Sequence, residues 1–127
     1  MDTAEPLPVI AVAAEPLELA GLLRHARSSR RLDWPVCYAR EAALQGRRWL
    51  LLAHGPGARL ARAAAEAALD RCHGRAVVLS TGFCGALDPA MNAGDIFAAR
   101  EVLDATTGSR YPATLPQAFQ PLKGLRQ

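Results

Sequence analysis

The stretch AVVLSTGFCGALDP, residues 76–89, decides how this chain folds. It opens with an uninterrupted apolar run, Ala76 to Leu79, containing two β-branched valines. The run is too short for a helix and does not alternate as a half-exposed strand would, so it reads as a strand buried on both faces. Directly behind it stand Gly82, Phe83, Cys84 and Gly85. Bare backbone at the end of a buried strand has two readings: a tight turn, or a place where a ligand approaches the chain. What the other strands end in decides between them.

Upstream, VIAVAA (9–14) is a second short apolar run of the central-strand kind. Pro16 suits the first turn of a helix, and Leu17, Ala20 and Leu23 recur at helical spacing. PVCYAR (35–40) and RRWLLLAHG (47–55) read as two more strands around a polar turn at Gln45-Gly46. GPGARLARAAAEAALDRC (55–72) turns on two glycines into an alanine-rich helix, and DIFAAREVLD (95–104) reads as a further strand. Beyond Asp104 no period survives, and 105–127 reads as a loop-like tail. Helices linking apolar strands within 127 residues imply a single α/β domain. In such sheets ligands bind beyond the carboxyl ends of the strands, where the loops 14–18, 53–58 and 80–86 all fall.

Composition narrows the partners. The net charge is +3, and Lys123 is the single lysine. The densest basic cluster, Arg24, Arg27, Arg30 and Arg31, reads as the solvated end of a helix, where cations complement the dipole. No aromatic residues alternate with it as a nucleic-acid platform would require, so no nucleic-acid partner is expected. The N-terminal stretch carries Asp2, Glu5, Glu15 and Glu18 and no membrane-length apolar run, so no membrane partner is expected either. Cys37, Cys72 and Cys84 are an odd set without metal-ligand spacing. They point to a reducing, cytoplasmic setting with no metal or other cofactor.

HGPG (54–57) opens a helix, and its glycines either expose backbone N–H groups to a ligand or make an ordinary strand-to-helix turn. It is not a dinucleotide fingerprint, because Leu60 fills the third glycine position. His54, inside this turn, is the histidine best placed for function. Glu15 and Glu18 stand at another strand-to-helix junction, as first-turn acids facing the helix dipole or as one functional carboxylate. Cys84 is a small residue packed under the loop or a nucleophile, with no histidine assigned to it by spacing.

In their order, these motifs resemble the N-terminal half of the nucleoside phosphorylase and nucleosidase superfamily. That group includes purine nucleoside phosphorylases, methylthioadenosine/S-adenosylhomocysteine nucleosidase, futalosine hydrolase and the hopanoid-associated phosphorylase-like proteins. The carrying segment is VVLSTGFCGALDPAMNAGDIFAAREV (77–102), supported by HGPGARLARAAA (54–65) and VAAEPLEL (12–19). The resemblance implies a three-layer phosphorylase-like mixed sheet with flanking helices. Its ligand would be a nucleoside or nucleobase, with or without phosphate. Glu18 matches the early glutamate that lies near the attacking water and ribose in the nucleosidases. Gly55 and Gly57 match the turn beside the phosphate or water pocket, and His54, also expected to touch substrate, replaces the commoner serine or glycine before that turn. Gly82, Phe83, Cys84 and Gly85 match the loop lining base and ribose.

Two departures bear on the reaction. Ser80 stands where hexameric purine phosphorylases carry an arginine, and Phe83 where they carry a serine, which favours hydrolysis over phosphorolysis. The family's second half supplies a Met-Glu ribose clamp and the aspartate that protonates the base, and neither motif occurs in this sequence. The expectation is therefore a truncated member, inactive alone, with an unpaired sheet edge and apolar surface that favour a homo-oligomer. A non-catalytic nucleoside-binding or structural module of the same fold is the alternative.

Overall fold

Five consecutive apolar residues, Val9–Ala13, form β1, and each of them is buried. In the computed structural model, which describes residues 5–113 and 125–126, β1 lies between two parallel neighbours. These are β4 (Arg47–Ala53) on one side and β5 (Val77–Ser80) on the other. Outside β4, β3 (Tyr38–Leu44) runs antiparallel to it, and β2 (Ser28–Arg31) runs antiparallel to β3. The sheet order is thus β2-β3-β4-β1-β5, a mixed sheet with a parallel half and an antiparallel half. Contacts divide the chain into two compact parts, Met1–Phe83 and Cys84–Gln127, and this sheet belongs to the first.

Side chains alternate across a strand, so one face of β1 and β4 presents Ile10, Val12, Leu50 and Leu52. Against that face packs α2 (Ala58–Arg71), whose Ala61, Ala64, Ala65 and Ala68 recur at helical spacing. Ala64 and Ala68 are fully buried, and their small side chains let the helix lie close to the sheet. On the opposite face, Val9, Ala11, Ala13 and Leu51 are buried as well. A 3-10 turn, Pro16–Leu19, touches both β1 and β4 and carries the fully buried Leu19, and α1 (Ala20–His25) follows it. Helical elements and a mixed sheet therefore build the expected α/β fold.

The differences from the sequence reading have local causes. PVCYAR was expected as a strand over 35–40, but β3 begins at Tyr38 and continues through the polar Arg40 and Glu41 to Leu44. Those charged side chains fit because strand pairing needs only backbone. The turn falls at Gln45-Gly46 as expected, both with positive φ (50° and 73°), the pair a type I′ hairpin requires. Arg30 and Arg31, expected at a helix end, lie on β2 instead. There Arg30 stands opposite Glu41 and hydrogen-bonds it, while Arg48 on β4 holds the other carboxylate oxygen. Partial burial works against the charge of Glu41, but the hydrogen bonds from Arg48 and Arg30 prevail and lower its pKa. Both arginines are solvent-exposed, so the network sets register more than stability.

β5 was read as buried on both faces. It is the edge of the sheet, with Val78 48% exposed. In the second part, the expected strand over 95–104 is two short ones, β6 (Ile96–Phe97) and β7 (Glu101–Leu103). Within the segment read as tail, β8 (Arg110–Pro112) pairs antiparallel with β7, and β9 (Leu125–Arg126) pairs with β6. The remainder of that tail, 114–124 and 127, lies outside the described residues.

Candidate functional site

Because β4, β1 and β5 are parallel neighbours, their carboxyl ends reach one edge of the sheet together. Backbone bonds then tie the loops that follow. Gly55 N–H donates to Ala14 C=O (3.0 Å), and Thr81 N–H donates to Val12 C=O (3.0 Å). The loops after β1 and β4, and the start of the loop after β5, are thus joined at this edge.

Glu18 closes the arrangement. Its Oε1 accepts from Glu15 N–H at 2.9 Å, within the 3-10 turn. Its Oε2 accepts from Phe83 N–H at 2.7 Å, across 65 residues of sequence. The Phe83 N–H bond, then the Glu15 bond, with a further backbone contribution from Ala14, hold its carboxyl below the ordinary value of 4.5, against a smaller opposing effect of burial. Glu18 is accordingly an ionised, doubly anchored acceptor at neutral pH. Glu15, its neighbour in the motif, is exposed and contributes its backbone.

The pH dependence follows in sign. A carboxyl with a lowered pKa in the folded chain binds its proton less readily than in the unfolded chain. The stability it adds is complete above pH 4.5 and is lost as pH falls through the folded-state value. Urea unfolding from pH 7 to pH 3 is expected to show a drop below pH 4.5 that Glu18→Gln flattens. An unchanged slope in that variant would contradict the anchoring.

The glycine turn after β4 has a conformational cause. Gly55 (φ 106°) and Gly57 (φ 95°) both occupy left-handed backbone, and a Cβ on Gly55 would also lie 2.8 Å from Leu60 Cδ1. Gly57 is the N-cap of α2, which has no side-chain cap and no acid in its first turn. The imidazole of His54 is engaged with the chain: its Nδ1 accepts from Cys37 N–H at 3.0 Å, tying the segment before β3 to the end of β4. In the neutral ring this leaves the proton on Nε2, as a donor. That tie joins residues 17 apart, and only the histidine's place in the turn hinted at it.

Phe83 is 73% exposed, so its backbone rather than its ring is engaged with the chain. Cys84 is exposed too, which corrects its reading as a residue packed beneath the loop. Gly82 adjoins the Glu18 carboxylate, whereas nothing described lies within 4 Å of a Cβ on Gly85. Asp88 accepts from Ala90 N–H, Asp95 from Asn92 N–H, and Asp104 from Thr106 N–H, each within its own loop. At the other end of β4, an open groove of about 630 Å³ is lined by residues including Ser28, Arg30, Glu41 and Arg48. It contains none of the candidate site residues Glu18, His54, Gly55, Gly57, Gly82, Phe83, Cys84 and Gly85. Among the described residues, no helix is long and apolar enough to cross a membrane.

A mixed α/β sheet thus carries a fixed carboxylate and glycine-bearing loops at its carboxyl edge. The model of the phosphorylase superfamily matches residues 9–127, and the chain belongs to that family. Among solved structures it is similar to the 5'-methylthioadenosine/S-adenosylhomocysteine nucleosidase of Neisseria meningitidis in complex with methylthio-immucillin-A. That match has 24% identity and a TM-score of 0.62, covering 88% of this chain and 50% of that one. The Streptococcus pneumoniae nucleosidase with a transition-state inhibitor matches at 19% identity and TM-score 0.67, with 87% and 50% covered. The same S. pneumoniae enzyme with 8-aminoadenine matches at 21% and 0.62. The chain therefore spans about half the length of the solved structures it matches. No curated protein matches it.

Proposed function

We propose that this chain carries the water-side half of a nucleosidase site, for cleavage of the N-ribosyl bond of a purine-type nucleoside. The observation that carries the reading is the Glu18 carboxylate, fixed by Glu15 and Phe83 N–H groups at the sheet edge. N-ribosyl cleavage develops positive charge on the sugar as the base departs. A preorganised carboxylate opposes that charge without reorganising, and can accept a hydrogen bond from the attacking water. His54, Gly55 and Gly57 would border the water pocket, and Gly82 and Phe83 would border ribose and base. Hydrolysis is favoured over phosphorolysis, because Ser80 offers no cation for phosphate and the exposed Phe83 ring offers no hydroxyl.

A second reading, a nucleoside-binding module without catalysis, draws support from Asp88, Asp95 and Asp104. Each accepts a backbone N–H within its own turn. In either reading we propose association of copies, supported by the edge position of β5 and the exposed Val78 and Phe83.

The test is titration of ¹⁵N-labelled chain with a cationic aza-sugar nucleoside analogue. Amide shifts are expected at Glu15, Gly82 and Phe83. Removing the carboxylate with Glu18→Ala is expected to weaken binding by roughly tenfold or more, the size of one charge-assisted hydrogen bond. Shifts confined to the groove at Arg30, Glu41 and Arg48, or none at all, would overturn the assignment.

A further inference from the structure

Gly82 is bare for a reason the nucleoside reading did not supply. Its φ lies outside the left-handed range, so an ordinary L-residue could adopt its backbone. Conformation therefore does not demand glycine there, in contrast with Gly55 and Gly57. Space does. A Cβ on Gly82 would overlap Glu18 Oε2 and come within 3.3 Å of Glu18 Cδ. The same oxygen accepts the N–H of the very next residue, Phe83, at 2.7 Å. The carboxylate thus occupies the place a side chain at Gly82 would take.

We propose that Gly82 is a positioning residue, keeping a seat open for the Glu18 carboxylate so that Phe83 N–H can hold it at the sheet edge. Its bearing on catalysis rests on the role proposed for Glu18, but the seat itself does not. With a methyl group at residue 82, the flexible glutamate swings away more readily than the backbone shifts. Oε2 then loses its Phe83 donor while the strand and turn stay in place.

Two measurements on the chain as it stands test this. The first is the side-chain carboxyl titration of Glu18, followed by ¹³C NMR in the parent chain and in Gly82→Ala. The midpoint is expected to move up toward the ordinary 4.5, because the donor that lowers it most is lost. The second is a double-mutant cycle by urea unfolding. Gly82→Ala is expected to lower the midpoint when Glu18 is present and to have little effect in a Glu18→Ala background, where the methyl group has room. If Glu18 titrates identically in both chains, or if Gly82→Ala costs the same in both backgrounds, the seat does not exist. Should Gly82→Ala alone not fold, the double variant must fold, and its failure would equally overturn the proposal.

Binding of the aza-sugar analogue separates the two levels. If Gly82→Ala and Glu18→Ala weaken it by the same factor, Gly82 positions a functional carboxylate. If the titration and the cycle behave as expected while binding does not change, the seat stands and the role proposed for Glu18 falls.

Discussion

No free base is expected to appear when the 127-residue chain is incubated with methylthioadenosine, adenosine, inosine or futalosine-like substrates, with or without phosphate. Departure of a purine-type base needs a proton donor on its own side of the sugar, and a positioned acid typically contributes about 10²–10⁴-fold. Glu18 cannot be that acid. Its two oxygens accept backbone N–H bonds, the stronger of which, from Phe83, helps keep it ionised, and it would lie on the water side of the ribose. Asp88, Asp95 and Asp104 accept backbone N–H bonds in their own turns. Glu41, Glu66 and Glu101 are paired with arginines. After Asp104 the sequence contains no acidic residue. Phosphate is not expected to rescue the reaction, since Ser80 contributes no positive charge. Chromatography of free base against a no-protein blank reads the result. Turnover that disappears in Glu18→Gln would overturn this account, and Asp88, Asp95 and Asp104 would be the first residues to substitute.

The parts of the fold visible in the sequence are those where burial itself writes the pattern. β1 and the Trp49–Ala53 part of β4 are apolar because both their faces are covered, and α2 announces its sheet-facing stripe through alanines at helical spacing. β2 is different: Ser28–Arg31 has no apolar residue, and backbone pairing with β3 plus the Arg30–Glu41 bond make it a strand. A run such as Val77–Ser80 looks the same whether a strand is central or at an edge, because composition does not say how many neighbours pair with it.

The site divides along a similar line. That the loops after β1, β4 and β5 begin at one edge was legible, since parallel neighbouring strands end there by topology. The bonds that shape it were not. Phe83 N–H reaches Glu18 across 65 residues, and the Cys37 bond to His54 crosses a hairpin. Gly55 and Gly57 look alike in sequence to Gly82, yet the first two answer to φ and the third to the space a carboxylate occupies.

Truncating Leu50 to alanine is expected to cost about 2–5 kcal/mol, the range for a fully buried leucine whose site cannot collapse. Leu50 has no exposed surface, sits between β1 and β3, and lies on the face packed by α2. A domain of this size has about 5–15 kcal/mol in total, so much of the folded state's margin goes with one side chain. Val78→Ala, on an edge strand and 48% exposed, is expected to cost under about 1 kcal/mol. The contrast matters for the site because its two halves are anchored differently. Glu18 follows buried β1 and adjoins the fully buried Leu19, whereas Phe83 follows β5, which among the described residues is paired on one side only. Loosening β5 therefore moves the donor away from a carboxylate that stays in place. Urea unfolding read by circular dichroism gives the two stabilities, and the Glu18 carboxyl titration reads the site in the same variants. Equal losses for Leu50→Ala and Val78→Ala would mean that the fold's energy is not centred on the β1–β4 pair.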